Sequence, residues 1–306
     1  MEILDKSLFE KATEEEKAAA EVQRESVTYW QDAYRRFKKN KVALVSIIII
    51  GVIAVLSIFV PVFSEYGYAQ INRGVENSLP TLEHPFGTDT LGRDLLVRCM
   101  IGARISLLIG IVSATLVVII GIVYGSVSGY FGGKVDMVMQ RFLEVANGIP
   151  RLVIVTLLLL VLKPGMITII FALMLTEWVG MSRIARAEML KLKDQEFVLA
   201  SRTLGAGSFF IIFKEVLPNI IGPIITQVMF SIPTAIFTEA FLSFVGLGIP
   251  VPQCSLGSLI SELYNSFTTH PYQIIPPIVV MSLLMLSFNL VADGLREALD
   301  PKMKSM

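Results

Sequence analysis

The sequence predicts an all-α integral membrane protein with six transmembrane helices, and three observations support this. Of the 306 residues, 54% are hydrophobic and only 17% are charged, whereas soluble domains carry about 25% charged residues. The mean hydropathy is +0.67. Uncharged stretches long enough to cross roughly 30 Å of hydrocarbon recur along the chain. Because a backbone in lipid must satisfy its own hydrogen bonds, we expect each stretch to be helical.

The lengths of the uncharged runs locate the first four spans. The first span, residues 42–64, is an unbroken run of 23 uncharged residues. The second occupies 105–133. The third contains "VIVTLLLLVL", which is too short alone and must extend back to about residue 137. The fourth covers 164–182 and is interrupted only by Glu177.

The last two spans share a region that is harder to divide. Residues 216–261 are uncharged apart from Glu239, which is too long a run for one span and too short for two with a loop. We therefore predict one span ending near Gly248, then a re-entrant stretch on the outer side, "GLGIPVPQCSLGS". The sixth span lies within 263–292. Together the last five spans form a core, 105–298, before a short tail, 299–306.

Lysine and arginine residues set the predicted orientation, because they concentrate on the cytoplasmic side. They are dense before the first span, in the segment 183–218 and in the tail, whereas the segments after spans one, three and five hold four, one and none. Both termini and 183–218 are therefore expected in the cytoplasm of a multi-pass cell-membrane protein, with 65–104 outside. The charged segment 1–41 predicts no cleavable leader, and its first 30 residues fit a solvated tail as well as a binding helix.

The cytoplasmic segment contains "ASRTLGAGSFFIIFKEVLPN", which is neither a span nor a simple loop. Apolar residues recur at helical spacing over 186–204, which predicts an amphipathic helix. Gly205 is expected to end that helix, Ser208 to cap a second short helix, and Pro218 to close it before span five. From the residues alone, this bent pair could dock in a groove of another protein or lie on lipid headgroups.

The same segment resembles the EAA loop of ABC importer permeases, in which two small residues precede a glycine and a Leu-Pro pair follows. The matching positions, including the two that depart from the commonest pattern, are Leu199, Ala200, Ser201, Gly205, Glu215, Leu217 and Pro218. The departures are Leu199, which stands at the glutamate position, and Glu215, where many members have an aliphatic residue. Both agree with the peptide/nickel branch of that family.

Three further stretches are similar to that branch, in particular to the oligopeptide/dipeptide "C" type of permease. They are "HPFGTDTLGRDLLVRCMIGARISLLIG" (84–110), "MVMQRFLEVANGIPRLVIV" (137–155) and "EAFLSFVGLGIPVP" (239–252). The resemblance implies a six-helix type I importer permease fold that translocates oligopeptides or dipeptides by alternating access. It also implies four partners, namely a homologous second permease subunit, two cytoplasmic ATP-binding subunits and an extracytoplasmic substrate-binding protein. The segment 183–218 would couple to the ATP-binding subunits.

The chain itself carries no sequence for ATP hydrolysis or other catalysis. A phosphate-binding loop needs GxxxxGK followed by Ser or Thr, and the only similar stretch, "GGK" at 132–134, is followed by Val135. ATP and Mg²⁺ are therefore expected on the partner subunits, and this chain is a transport subunit with no catalytic residue and no cofactor of its own. Cys99 and Cys254 lack metal-ligand or redox spacing, and the zero net charge gives no indication of nucleic-acid binding.

Arg151, Glu177 and Glu239 are charges inside predicted spans, where each costs on the order of 3 kcal/mol, so such residues usually face a cavity or a partner. Pro150 is expected to kink the third span beside Arg151. Since peptides are zwitterions, Arg151 and Glu239 could line the substrate pathway, and an ion pair with the second permease is an equal alternative. Glu177 is expected to pair locally or at that interface.

Two more patterns concern packing. In the outer segment 84–98, we expect a helix start near Gly87 to Asp89 and an Asp94–Arg98 side-chain pair. This segment could meet the binding protein or form a self-packed cap over span two. The small residues of "VYGSVSGYFGG" (123–133) predict close helix packing.

The sequence alone leaves other transport functions open. A related ABC permease could carry nickel or another small solute. An ion-gradient transporter or channel would need carboxylate relays or inverted repeats, and neither stands out in this chain.

Overall fold

The computed structural model describes residues 28–299, and within this part of the chain eleven α-helical segments form the structure. The expectations for 1–27 and 300–306 lie outside the described residues. In chain order the segments are α1 Tyr29–Lys39, α2 Lys41–Phe63, α3 Leu95–Phe131, α4 Gly133–Gly148, α5 Arg151–Leu162, α6 Met166–Leu192, α7 Glu196–Thr203, α8 Ser208–Phe210, α9 Leu217–Phe244, α10 Leu256–Tyr264 and α11 Ile275–Leu299. A π-helical turn, Ile211–Val216, joins α8 to α9, and a 3₁₀ turn, Pro271–Gln273, precedes α11.

Among residues 28–299, five helical runs are long and apolar enough to cross a membrane, which confirms the all-helical membrane architecture. They are α2, α3, α6, the run Ser208–Phe244 and the run Pro271–Leu299. The pair α4 and α5 passes the same test jointly and raises the number to six, but it is bent by 77°. Pro150 lies at this break as the N-cap residue of α5, so the predicted kink is confirmed.

Helix α3 begins ten residues earlier than the second predicted span. Its N-cap is Asp94, whose side chain accepts a hydrogen bond from the Val97 amide, so the expected helix start at residues 87–89 is wrong. The expected Asp94–Arg98 side-chain pair is also wrong, since Asp94 Oδ2 lies 2.7 Å from His84 Nδ1. The segment before Leu95 is a folded turn held to the start of α3 through this buried contact.

Arg98 instead belongs to a four-residue charge cluster at the end of the bundle predicted to be extracytoplasmic. Its guanidinium donates to Asp89 Oδ2 at 2.5 Å and to Glu262 Oε2 at 2.6 Å. Arg93 bonds to the same two carboxylates. Asp89, Arg93 and Arg98 are all buried. This arrangement supports the self-packed cap over α3 among the two alternatives for residues 84–98.

The stretch predicted to be re-entrant, 246–258, forms turns that lead into a short buried helix, α10, between α9 and α11. Leu256, Leu259 and Leu263 of α10 lie in the main apolar cluster with residues of α3 and α11. A methyl group on Gly257 would lie 2.3 Å from the Ala240 Cα, so α10 packs directly on the backbone of α9. The sixth span is formed by α11, which begins inside the predicted range 263–292 and extends seven residues past its end.

Helices α3 and α6 approach each other most closely, through glycines at four-residue spacing on α3. A Cβ on Gly121 would lie 2.6 Å from the Met181 side chain, and a Cβ on Gly125 would lie 2.2 Å from the Ser182 carbonyl oxygen. Gly129 faces the next turn of α6 in the same way. This confirms the close packing predicted for 123–133, because only a residue without a side chain permits such backbone contact.

We expect Gly125→Ala to destabilise the protein by about 1–3 kcal/mol, because the added methyl group must push α6 away from α3. Thermal unfolding of the purified complex in detergent measures the effect. Gly51→Ala on α2 is the matched control, since nothing lies within 4 Å of a Cβ there. Equal melting temperatures for the two variants would contradict the close contact.

Glu262 gives the charge cluster a pH dependence. Burial acts to raise the pKa of Glu262, but the hydrogen bonds and charges of Arg98 and Arg93 outweigh burial, so this pKa lies below its usual value. A carboxyl group with a lowered pKa in the folded state stabilises the protein at neutral pH, and that stabilisation disappears as the pH falls through the lowered pKa.

Glu262→Gln should therefore lower stability by about 1–3 kcal/mol at pH 7, with a difference from wild type that holds down to the ordinary glutamate pKa of 4.5 and shrinks as the pH falls further, through the lowered pKa. Melting temperatures across this pH range test it. Glu144→Gln, in the exposed Arg141–Glu144 pair, is the control and should change little. A Glu262→Gln difference that stays constant with pH would refute the assignment.

Candidate coupling and pathway sites

The segment between α6 and α9 forms a helical hairpin rather than the single helix predicted for 186–204. Residues up to Leu192 continue α6, a turn covers 193–195, and α7 follows from Glu196 to Thr203. Gly205 then adopts a left-handed φ of +86°, which a residue with a side chain rarely takes. The expected end of the helix at Gly205 is therefore confirmed, although the chain turns once more before it.

Two details of the second arm differ from the prediction. The N-cap of α8 is Gly207 and no side chain caps it, so Ser208 does not act as the cap. Pro218 does not close the helix either, because it lies in the first turn of α9, which continues from α8 without a gap. In the π-helical turn, the Leu217 N–H bonds to Ile212 O, five residues back. Proline normally clashes with the carbonyl four residues back, and this wider turn accommodates it.

One face of the hairpin is firmly packed. Val198, Ile211, Ile212 and Val216 are fully buried and form an apolar cluster with Met189 of α6 and with residues of α3. The hairpin is therefore anchored to the bundle on this side.

The opposite face of the hairpin is apolar and open, and we call it the hairpin patch. Its large members are Leu199, Leu204, Phe209, Phe210 and Phe213, with exposed fractions of 44%, 88%, 67%, 52% and 38%. The rings of Phe209 and Phe213 are stacked. Large exposed apolar side chains that are concentrated in one short segment, two of them in contact, indicate a surface that binds protein or membrane.

The EAA-loop positions all fall within this hairpin or at its junction with α9. Leu199, Ala200 and Ser201 lie on α7, and Ala200 is exposed beside the patch. Gly205 forms the bend. Glu215 lies in the π-helical turn, and Leu217 with Pro218 begins α9. The structure thus brings together residues that the motif predicts to act as one element.

Arg151 and Glu177 form an ion pair between α5 and α6. Arg151 Nη1 donates to Glu177 Oε1 at 2.6 Å, and the two side chains are 59% and 20% exposed. This is the local pairing expected for Glu177. The pair joins the first residue of the helix after the Pro150 break to the middle of α6, and its arginine remains open to the surroundings.

Glu239 lies apart from that pair in an enclosed polar cluster. Ser243 and Ser255 donate to Glu239 Oε1 at 2.7 and 2.5 Å, and Ser106 lies 3.4 Å from Oε2. Because Glu239 is fully buried, it is closed to any passing substrate here, and the expectation that it lines a pathway needs correction. It fastens α10 instead, since Ser255 is the N-cap of that helix. Of the three serines around Glu239, only Ser243, one helical turn away, could have been recognised as a partner from the sequence.

Comparison with known proteins gives a consistent family. The family model described as "Binding-protein-dependent transport system inner membrane component" matches residues 121–305. A second model, "N-terminal TM domain of oligopeptide transport permease C", matches residues 28–81.

Individual relatives cover almost the whole chain. The "Oligopeptide transport system permease protein OppC" of Bacillus subtilis is 43% identical over 99% of this chain and 100% of its own length. The "Dipeptide transport system permease protein DppC" of the same organism is 44% identical over 95% of this chain and 91% of its own. Among solved structures, an inward-facing MetNI methionine ABC transporter chain matches with a TM-score of 0.52 at 18% identity, covering 67% of this chain and 96% of that one.

The structural likeness supports the fold alone, whereas the family models and relatives support membership. This chain belongs to the binding-protein-dependent transport system inner membrane components, the permease subunits of ABC importers.

Proposed function

We propose that this chain forms half of a peptide-conducting channel together with a homologous second permease, and that it imports oligopeptides or dipeptides. The names of the relatives at 43% and 44% identity support peptides as the substrate. Two cytoplasmic ATP-binding subunits, which hold ATP and Mg²⁺, drive the cycle, and an extracytoplasmic binding protein delivers the peptide. Both termini lie in the cytoplasm.

The hairpin patch is the main observation that supports this proposal. The patch presents aromatic and aliphatic side chains next to the small residue Ala200, near the bend at Gly205. Such a surface is suited to a groove in a partner protein. Its rear side is buried against α6 and α3. A push on the patch therefore moves these helices rather than bending the hairpin, because packed elements shift between discrete arrangements.

ATP can drive such movement only because the ATP-binding subunits bind one permease conformation better than the other. Closure of these subunits around ATP displaces the two hairpins of the permease pair. The helices that carry the hairpins then reorient, and the channel opens to the other side of the membrane.

The Arg151–Glu177 pair is the part of the pathway that we assign in this chain. A peptide carries a positive and a negative terminus, and the pair offers a partner for each sign. Because Arg151 is more than half exposed, a peptide carboxylate reaches it without breaking a buried contact. The energetic cost of exchanging one ion pair for another in a wet site is small.

Leu204→Asp should lower co-purification of the ATP-binding subunits about tenfold, since a charge at the centre of the patch opposes its burial. Leu82→Asp is the control, because Leu82 is also fully exposed but lies in the segment after α2. Pull-down of the tagged chain from membranes measures both. Normal recovery of the ATP-binding subunits with Leu204→Asp would contradict the docking surface.

Arg151→Ala should reduce peptide uptake by proteoliposomes about tenfold while assembly of the complex stays normal. The exchange Arg151→Glu with Glu177→Arg separates a pathway role from a structural one. It restores the ion pair, so a purely structural pair would regain uptake, whereas the proposed pathway loses it because the charges face the wrong termini. Arg141→Ala in the exposed Arg141–Glu144 pair is the control.

A further inference from the structure

Two cavities meet along one face of helix α9. The deeper one, of about 180 Å³, lies between α3, α6 and α9. The wider one, of about 1000 Å³, opens among α1, α6, α9 and α11. Gln227 and Phe230 line both cavities, so the two cavities adjoin along α9, and together we call them the α9 groove.

The α9 side of this groove is a polar stripe. The polar residues that line it there are Asn219, Thr226, Gln227, Ser231 and Thr234, and between them lie Pro218, Gly222, Pro223, Phe230 and Ala235. Their spacing of three and four residues places them on one face of the helix. Polar groups facing hydrocarbon are costly, so a stripe of this kind in a membrane span faces a watery passage or a polar partner.

Within the stripe, the hydroxyl groups are satisfied and one carboxamide is not. The hydroxyls of Thr226, Ser231 and Thr234 donate to carbonyl oxygens four residues back. The Gln227 carboxamide has no hydrogen-bond partner among residues 28–299, although it can donate two bonds and accept two. Ser113, which lines the deep cavity, has a buried hydroxyl that is likewise unpartnered in this part of the chain.

Charges of both signs stand at the two ends of the groove. Glu177, the partner of Arg151, lines the deep end. Glu188, Lys191 and Arg296 line the wide end. A tightly packed helix of the second permease would desolvate these charges and could offer Gln227 only side-chain groups, because helical backbone groups are already paired. An extended peptide instead exposes a free N–H and C=O at each residue.

We propose that the α9 groove binds the main chain of the transported peptide, with the Gln227 carboxamide donating to and accepting from its backbone amides. The proposal rests on the proposed import function and adds the site at which the chain recognises peptides in general. Recognition of the main chain is independent of the peptide's side chains, so such a groove admits peptides of many sequences.

Uptake of a labelled tripeptide by the complete complex in proteoliposomes tests Gln227. Gln227→Leu removes the hydrogen bonds at similar volume, and uptake should fall about tenfold while complex assembly and ATP hydrolysis persist. Gln227→Asn, which keeps the carboxamide, should retain more uptake. The control is Gln253→Leu, since Gln253 is an exposed carboxamide outside the groove. Wild-type uptake by Gln227→Leu would overturn the groove assignment, whereas a wild-type complex that moves no peptide would overturn the import function itself.

Thiol labelling in the same complex distinguishes a peptide from a partner helix as the occupant. Ser231→Cys places a thiol in the groove, and the native Cys99 and Cys254 are buried. A charged aqueous maleimide should label it, and excess tripeptide should slow labelling. Thr115→Cys, whose site is an exposed α3 position outside the groove, should show no peptide protection. If the thiol is not labelled in the complex, a partner helix fills the groove. If the rate of labelling does not change when peptide is added, the groove does not bind peptide. Either result overturns the proposal.

Discussion

The backbone contact between α3 and α6 is the constraint on which the rest of the structure depends. Glycines at 121, 125 and 129 allow α6 to lie directly against α3. Just beyond the glycines, Arg186 of α6 donates to both carboxylate oxygens of Asp136 on α4 at 2.6 and 2.5 Å, and Ser128 of α3 donates to the same carboxylate at 2.6 Å. The two helices thereby behave as one body that carries the hairpin patch at one end and Glu177 within its span. A displacement of the hairpin therefore reaches the proposed pathway without a separate linkage.

The charges inside the bundle are neutralised in three different ways, and each suggests a different role. Glu239 is enclosed by hydroxyl groups and fixes α10 in place. Arg98 is enclosed by carboxylates and fixes the outer cap. Arg151 pairs with Glu177 but remains more than half exposed. Since buried charges hold a structure and accessible charges meet ligands, only the Arg151–Glu177 pair suits contact with substrate.

The sequence predicted features that depend on local patterns, and it missed those that depend on distant partners. Span lengths, the kink at Pro150 and the close packing at 123–133 follow from composition and spacing within a few turns. The early start of α3 does not, because one of the two carboxylates that neutralise the buried Arg98 belongs to Glu262, 164 residues away. The burial of Glu239 required serines from three separate elements. A π-helical turn allows Pro218 to lie within a continuous helical run, and no residue pattern in the sequence predicts that turn.

The most direct test of the account asks whether α3 and α6 move as one body. Spin labels at Phe131→Cys on α3 and Ala187→Cys on α6, both exposed positions, report their separation in the reconstituted complex with and without ATP. The account predicts an unchanged α3–α6 distance alongside a changed distance between the Ala187 labels and a label on the second permease. A shift in the α3–α6 distance on ATP binding would show that force is lost between these helices, and the account would fail.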